Sequence, residues 1–208
     1  MACGDPKAKF RAVILDPVLT TSMPRAVTAV SGIDAITHSI ESYVCTARNP
    51  ASQMFAEKAW ELLERHFETV LTEPQNVEAR GYMLLGAHFA GLAIEGSMLG
   101  AAHACANPLT MHYGVLHGVA VGLMMPHVIE WNAPEVQDLY NHLFSGKLQE
   151  RFCELRSQGG TPERLRDCGV EKSSILKLAN EAAQQWTGQY NPRPLTVDDF
   201  VRLYEMAF

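Results

Sequence analysis

The chain lacks an excess of basic residues. Its 17 Lys and Arg stand against 23 Asp and Glu, for a net charge of −6 and a pI near 5.7. Without a positive field to draw them in, neither nucleic acid nor an anionic membrane surface is expected as a partner. Paired cysteines are lacking too. The five present (Cys3, Cys45, Cys105, Cys153, Cys168) are odd in number and form no C-x-x-C pair. That usage suits reduced thiols in a cytoplasmic protein rather than a disulfide framework. No apolar run is long enough for a membrane. The most apolar stretch, 81–106, is interrupted by His88, Glu95 and His103, and a span needs about twenty largely apolar residues. The opening MACGDPKAK has neither an apolar targeting core nor an Arg/Ser-rich transit character. At 47% hydrophobic and 19% charged the chain is neither disordered nor fibrous. Its length suits one domain with a sizeable core.

What the chain does have is a particular set of ligand-competent side chains. Asp34 and His38 lie four apart in GIDAITH, and His103 and His117 follow in HACANPLTMHYGVLHG. On a helix, positions i and i+4 share a face about one turn apart. Two imidazoles from a second region would complete a shell of one oxygen and three nitrogens. Such a set favours divalent iron or zinc, with room left for an outside oxygen ligand. The ordinary structural readings stand beside it: an Asp near a helix start caps or meets the dipole, and a His on an apolar helix packs in the core. Glu41, at i+7 from Asp34, fits either a hydrogen bond behind a metal ligand or a simple helix salt bridge. Cys105, two residues from His103, and His66 are assigned to packing. His88, His127 and His142 receive no role.

The organisation reads as helical from Met23 onward, with one exception before it. Residues 10–16 (FRAVILD) form a β-branched run closed by Pro17, which predicts a short strand without a partner in this chain. Pro24 starts one helix, and a break at Ser31-Gly32 introduces a second that carries Asp34 and His38. Asn49-Pro50 caps a helix whose stripe is Phe55, Ala59, Leu62, His66 and Val70, running to Thr72. Residues 76–98, apolar nearly all round and rich in Ala and Gly, predict a central, closely packed helix. A further turn over 100–107 carries His103 and stops at Pro108, with a loop over 111–116. His117 opens a helix that runs past Pro126 to Trp131. Short helices are expected over 134–144, 147–157, 161–167, 173–187 and 197–207, the last with a Thr196/Asp199 capping box. The fold class expected is therefore all-α, a helical bundle-like domain with a short orphan N-terminal strand.

Four segments, AVILDPVLTTSMP (12–24), SGIDAITHSIESYV (31–44), GAAHACANPLTMHYGVLHGVAVGLMMPHVIEWN (100–132) and NPRPLTVDDFVRLYEMAF (191–208), resemble the iron-containing alcohol dehydrogenase family. The likeness runs over nearly the whole chain and points to that family's C-terminal, metal-binding helical half, in the dehydroquinate synthase-like fold. It implies that Asp34, His38, His103 and His117 bind a divalent metal, Fe2+ ahead of Zn2+. It also implies NAD(P)-dependent hydride transfer between small alcohols and aldehydes or ketones. Residues 1–22 then correspond to the inter-domain strand and connection, and 23–208 to the catalytic metal-binding domain.

Three departures accompany the resemblance. The family's Gly-Gly-Gly-Ser phosphate loop does not occur here, so the nucleotide-binding half is expected to be missing. Where the family commonly has another His, four residues after the second metal His, this chain has Asn107, which does not titrate. The stretch from Asn132 to Arg164 looks shorter than its counterpart. Asn107 and His112 are the polar residues expected to border the pocket, His112 either relaying a proton or simply solvated. The alternative reading is a free-standing metal-binding module inactive in hydride transfer. With one half missing, exposed apolar surface predicts a homo-oligomer or association with a nucleotide-binding half.

Overall fold

The computed structural model describes residues 10–208, and the described residues form eight α-helices and no strand. These are α1 (Arg25–Val44), α2 (Pro50–Thr72), α3 (Val77–Glu95), α4 (Ala101–Tyr113), α5 (His117–Leu143), α6 (Leu148–Gly159), α7 (Ile175–Ala182) and α8 (Val197–Ala207). The all-α expectation holds, and the strand does not. Residues 10–16 carry no regular structure, and Phe10 and Ile14 are exposed. A strand needs a neighbouring backbone to take its N–H and C=O groups, and none of the described residues provides one. A 3-10 turn, Pro17–Thr20, follows, capped by the Asp16 side chain.

Helix α1 is the axis of the molecule. It runs unbroken through Ser31-Gly32, where two helices were expected. Gly32 serves close packing instead: a Cβ there would come within 2.5 Å of the Phe67 ring of α2. Two buried hydroxyls of α1 are satisfied locally, Thr37 donating to the Ile33 carbonyl and Ser39 to that of Ile36. Helix α2 begins as the sequence requires. The Asn49 side chain accepts from the amides of Ala51 and Ser52, and Ser52 returns the bond to the Asn49 N–H. Its buried seam keeps Ala59, Leu62 and Val70 of the expected stripe and adds Ala56, Trp60, Leu63, Phe67 and Leu71, while Phe55 is half-buried and His66 is at the edge as expected. His66 stacks on Tyr82, confirming a packing role.

Helix α3 is not central. Only Ala79, Arg80, Gly86, Ala90 and Ala93 are buried in it. Its small residues permit one-sided contact with α2, since a Cβ on Gly86 would lie 2.8 Å from Leu63. The inner helices are α1, α4 and the first half of α5. Helix α4 passes through Pro108 and ends at Gly114, whose φ of +63° is the left-handed conformation glycine adopts freely. An interior proline costs about 3 kcal/mol. Full burial of Leu109 returns roughly 2 kcal/mol, and the buried run from Ala101 to Ala106 supplies more. Helix α5 likewise continues through Pro126 and Pro134, with its backbone breaking only at Val136.

The C-terminal portion is more irregular than expected. The 161–167 helix shrinks to a 3-10 turn, Leu165–Cys168, and 173–187 divides into Lys172–Ser174, α7 and the start of Trp186–Tyr190. The Thr196/Asp199 capping box opens α8 as read from the sequence. Among the described residues, no helix is long and apolar enough to cross a membrane, and the described cysteines are free thiols.

Candidate metal centre

Asp34, His38 and Glu41 project from one face of α1 because their spacings, four and three, each close a helical turn. His103 arrives from the first turn of α4 and His117 from the first residue of α5. The structure brings the four expected ligands together around one oxygen. Asp34 Oδ1 lies 3.5 Å from His38 Nε2, 3.5 Å from His103 Nε2 and 3.8 Å from His117 Nε2. Ligand atoms about 2.0–2.2 Å from a tetrahedral centre are roughly 3.4 Å apart, so the spacing matches a coordination shell. The ligand atoms of Asp34, His103 and His117 lie within 4.8 Å of one another. His38 stands outside that tighter set, its ring stacked on His103 with centroids 4.8 Å apart.

Two atoms at this centre carry further weight. Asp34 Oδ1 and His103 Nε2 are buried without a hydrogen-bond partner. Buried polar atoms are nearly always bonded, and a cation ligated by both satisfies both at once. The donor set, one carboxylate and three imidazoles, fits divalent iron or zinc.

Glu41 resolves the choice the sequence left open. It is 2% exposed, and its Oε2 meets His103 Nδ1 at 2.5 Å. A carboxylate can only accept, so Nδ1 carries a proton, and in the neutral ring that a metal requires Nε2 keeps its lone pair for the centre. Glu41 Oε1 accepts from the Ala102 amide at 2.7 Å. Helix α4 starts at Gly100 with no side-chain cap of its own, so its free N–H groups are met from elsewhere. Asn191 Oδ1 takes the Ala101 amide at 3.2 Å and is held by a reciprocal amide pair with Asn132. A Cβ on Gly100 would come within 3.0 Å of both Asn191 Oδ1 and Glu41 Oε1. Sequence reasoning missed Asn132 and Asn191. Their pairing spans 59 positions, and no local pattern announces it.

The electrostatics follow from burial and these contacts. Burial alone would raise the Asp34 pKa, but the His103 contact and the fields of His38, His103 and His117 hold it below the usual value. Burial pushes His38 down to about 4, helped by charge on His103. Burial opposes protonation of His103 too, yet Glu41 and Asp34 overcome it and lift that residue to about 9. Burial also lowers His117.

The remaining candidates lie farther out. Asn107 sits one turn beyond His103 and donates to Gln185 Oε1 at 3.0 Å. His112 is nine residues along α4, about 13 Å from His103 by helix rise. It pairs with Glu181 at 2.6 Å, with Lys177 behind it. Cys105 is fully buried, and burial drives its thiol far above the ordinary range, in keeping with a core role.

Comparison with known proteins supplies the family. The family model for the C-terminal part of Fe-containing alcohol dehydrogenases matches residues 28–208. The chain is 30% identical over 210 residues to 1,3-propanediol dehydrogenase of Klebsiella pneumoniae, covering 94% of this chain and 54% of that protein. It is 30% identical over 221 residues to lactaldehyde reductase of Escherichia coli (strain K12), covering 99% and 57%. Its fold superposes on a crystal structure of 1,3-propanediol oxidoreductase with a TM-score of 0.88 at 29% identity, over 93% of this chain and 55% of that one. An alcohol dehydrogenase from Oenococcus oeni gives a TM-score of 0.89 at 25% identity, over 92% and 54%. The chain thus spans about half the length of these relatives. With the family model matched from residue 28 to the last residue, the chain belongs to the iron-containing alcohol dehydrogenase family.

Proposed function

We propose that this chain is the metal-binding half of an NAD(P)-linked alcohol dehydrogenase-type oxidoreductase. In this reading Asp34, His38, His103 and His117 hold one divalent ion, Fe2+ before Zn2+. The observation that carries it is the convergence of three imidazole nitrogens on Asp34 Oδ1, with that oxygen and His103 Nε2 buried and unbonded. Bound there, a divalent ion supplies Lewis acidity toward the oxygen of an alcohol or carbonyl substrate.

The chain's own residues do the rest. Glu41 fixes the His103 tautomer and ring plane. Asp34 contributes the negative charge that three neutral imidazoles lack. The buried side of the site, His103 and Glu41, excludes water. The open side is toward His117 and Asp34, whose side chains are 38% and 25% exposed, and substrate enters from there. The relatives named for 1,3-propanediol and lactaldehyde put short diols and hydroxyaldehydes first among substrates to try.

Metal analysis of the purified protein tests the shell. One ion per chain is expected, and His103→Ala should lose it. Turnover is then assayed after ferrous or zinc loading, with NAD(P) and a nucleotide-binding half supplied. Full metal content in His103→Ala would refute the ligand set. An intact ion without turnover would leave the non-catalytic metal-binding module.

A further inference from the structure

Helices α1, α4 and α5, which bear the four proposed ligands, are tied together at residues 190–193, which bear none. The tie to α1 lies two residues past its end, where the Thr46 N–H donates to the Tyr190 carbonyl at 2.8 Å. The tie to α4 is Asn191 Oδ1, which accepts from the Ala101 amide at 3.2 Å. The tie to α5 is double. Asn191 and Asn132 exchange amide hydrogen bonds at 3.0 and 2.6 Å. Arg193 donates to the Trp131 carbonyl at 2.9 Å, and its guanidinium lies 3.7 Å from the centre of the Trp131 ring.

Asn191 is the hub of these ties. It is 3% exposed, and its Nδ2 also donates to the Arg193 carbonyl at 2.6 Å. An amide side chain has two donor hydrogens and two acceptor lone pairs, and here all four are used. The bond to Ala101 falls two residues before His103. The next amide, that of Ala102, is held by Glu41, the same carboxylate that orients the His103 ring. Little slack separates the two holds, since a Cβ on Gly100 would stand 3.0 Å from both Asn191 Oδ1 and Glu41 Oε1. A first turn of α4 freed from Asn191 would carry the His103 ring away from Glu41 and Asp34.

We propose that Asn191 is a positioning residue of the metal centre, anchoring the first turn of α4 to α1 and α5 and so setting where His103 Nε2 points. This rests on the ligand set proposed above, and the experiment separates the two.

Zinc affinity of the full chain is measured by competition against a chelator of known affinity, and the visible absorption of cobalt-loaded protein reports the geometry of the donors. Asn191→Leu removes all four bonds. It should weaken zinc binding at least about tenfold, the lower end for losing a group that supports a metal ligand, and shift the cobalt bands. Circular dichroism in chelator buffer reports folding with no metal present. Asn49→Ala, which loses the α2 cap far from the centre, controls for lowered stability alone and should bind zinc as the parent does. Should Asn191→Leu fail to fold, Arg193→Met decides. Arg193 is half-buried, and its loss slackens residues 190–193 on α5 while the Asn191 bond to Ala101 stays, so zinc binding weaker than the parent's is expected. Equal zinc affinity in the parent and the deciding variant, or a loss matched by Asn49→Ala, would overturn the proposal and leave residues 190–193 as a brace for the fold. A parent that binds no zinc would overturn the ligand set itself, and the proposal with it.

Discussion

Glu41→Gln changes one atom of the side chain and should loosen the metal centre by a calculable route. In the parent, Oε1 accepts from the Ala102 amide and Oε2 accepts from His103 Nδ1. Glutamine keeps one acceptor and replaces the other with an NH2. If its oxygen stays on the Ala102 amide, the NH2 faces Nδ1, which must then accept. The His103 proton moves to Nε2, the atom that faces Asp34, and the ligand lone pair is lost. If the amide flips, His103 keeps its tautomer but the Ala102 N–H loses its acceptor, in a site where Glu41 is 2% exposed. Either way metal binding must reverse an unfavourable arrangement. Losing the hydrogen-bond partner of a ligating His typically costs 10–100-fold in affinity, or about 1.4–2.8 kcal/mol. Competition against a chelator of known affinity measures it, with Fe2+ handled anaerobically or with Zn2+ in its place. Overall fold should change little, because the replacement is isosteric. An affinity for metal equal to the parent's would refute the assignment of Glu41 as the group that orients His103.

Metal-free protein should be most stable near pH 6.5. His103 has its folded pKa raised to about 9, so its contribution is full below 6.5 and is lost as pH rises from there to 9, a loss on the order of 3 kcal/mol. His38, depressed to about 4, adds no penalty above 6.5, but stability falls below it as the unfolded chain takes up a proton that the folded chain refuses. Urea unfolding in a chelator buffer between pH 5 and 9 checks this, and a monotonic profile would contradict it. Gly118→Ala should disrupt both fold and site. Its Cβ would stand 2.1 Å from the Val30 carbonyl oxygen, so α5 must shift from α1 at the cost of about 1–3 kcal/mol or more, taking His117 with it. Thermal unfolding together with metal content would show both losses. Asn49→Ala, far from the centre, should lower stability by about 1–2 kcal/mol through loss of the α2 cap and leave metal content unchanged.

The parts of this fold that local chemistry governs were legible in the sequence. Asn49-Pro50 and Thr196/Asp199 mark real helix starts because a side-chain oxygen meets backbone amides two or three residues away. What failed was the reading of Gly and Pro as punctuation. Gly32 looked like a break and is a packing contact with Phe67. Pro108 looked like a stop, yet burial around it carries α4 on to Tyr113. The Ala/Gly-rich 76–98 segment looked central because its apolar residues encircle the helix. Only contact partners, which the segment itself does not encode, reveal that it packs on one side. The strand over 10–16 was inferred from β-branched composition alone, and composition cannot supply the second strand that pairing requires.

The site divides along the same line. Asp34, His38 and Glu41 are readable because their spacing places them on one face of α1 whatever the rest of the chain does. His103 and His117 reach that face only through docking contacts. Gly118 lets the start of α5 approach within reach of the Val30 carbonyl. Gly100, bare of a side chain, lets Glu41 and Asn191 reach the first amides of α4. Gly118 directly follows His117 and Gly100 lies three residues before His103, so the same local geometry that brings the helices together aims the imidazoles. Helix α1 thus acts as a fixed rule of donors, and α4 and α5 are registered against it by backbone approach and by one buried carboxylate. Glu41 both caps α4 and orients His103, so the packing of that helix and the direction of its ligand cannot be changed independently.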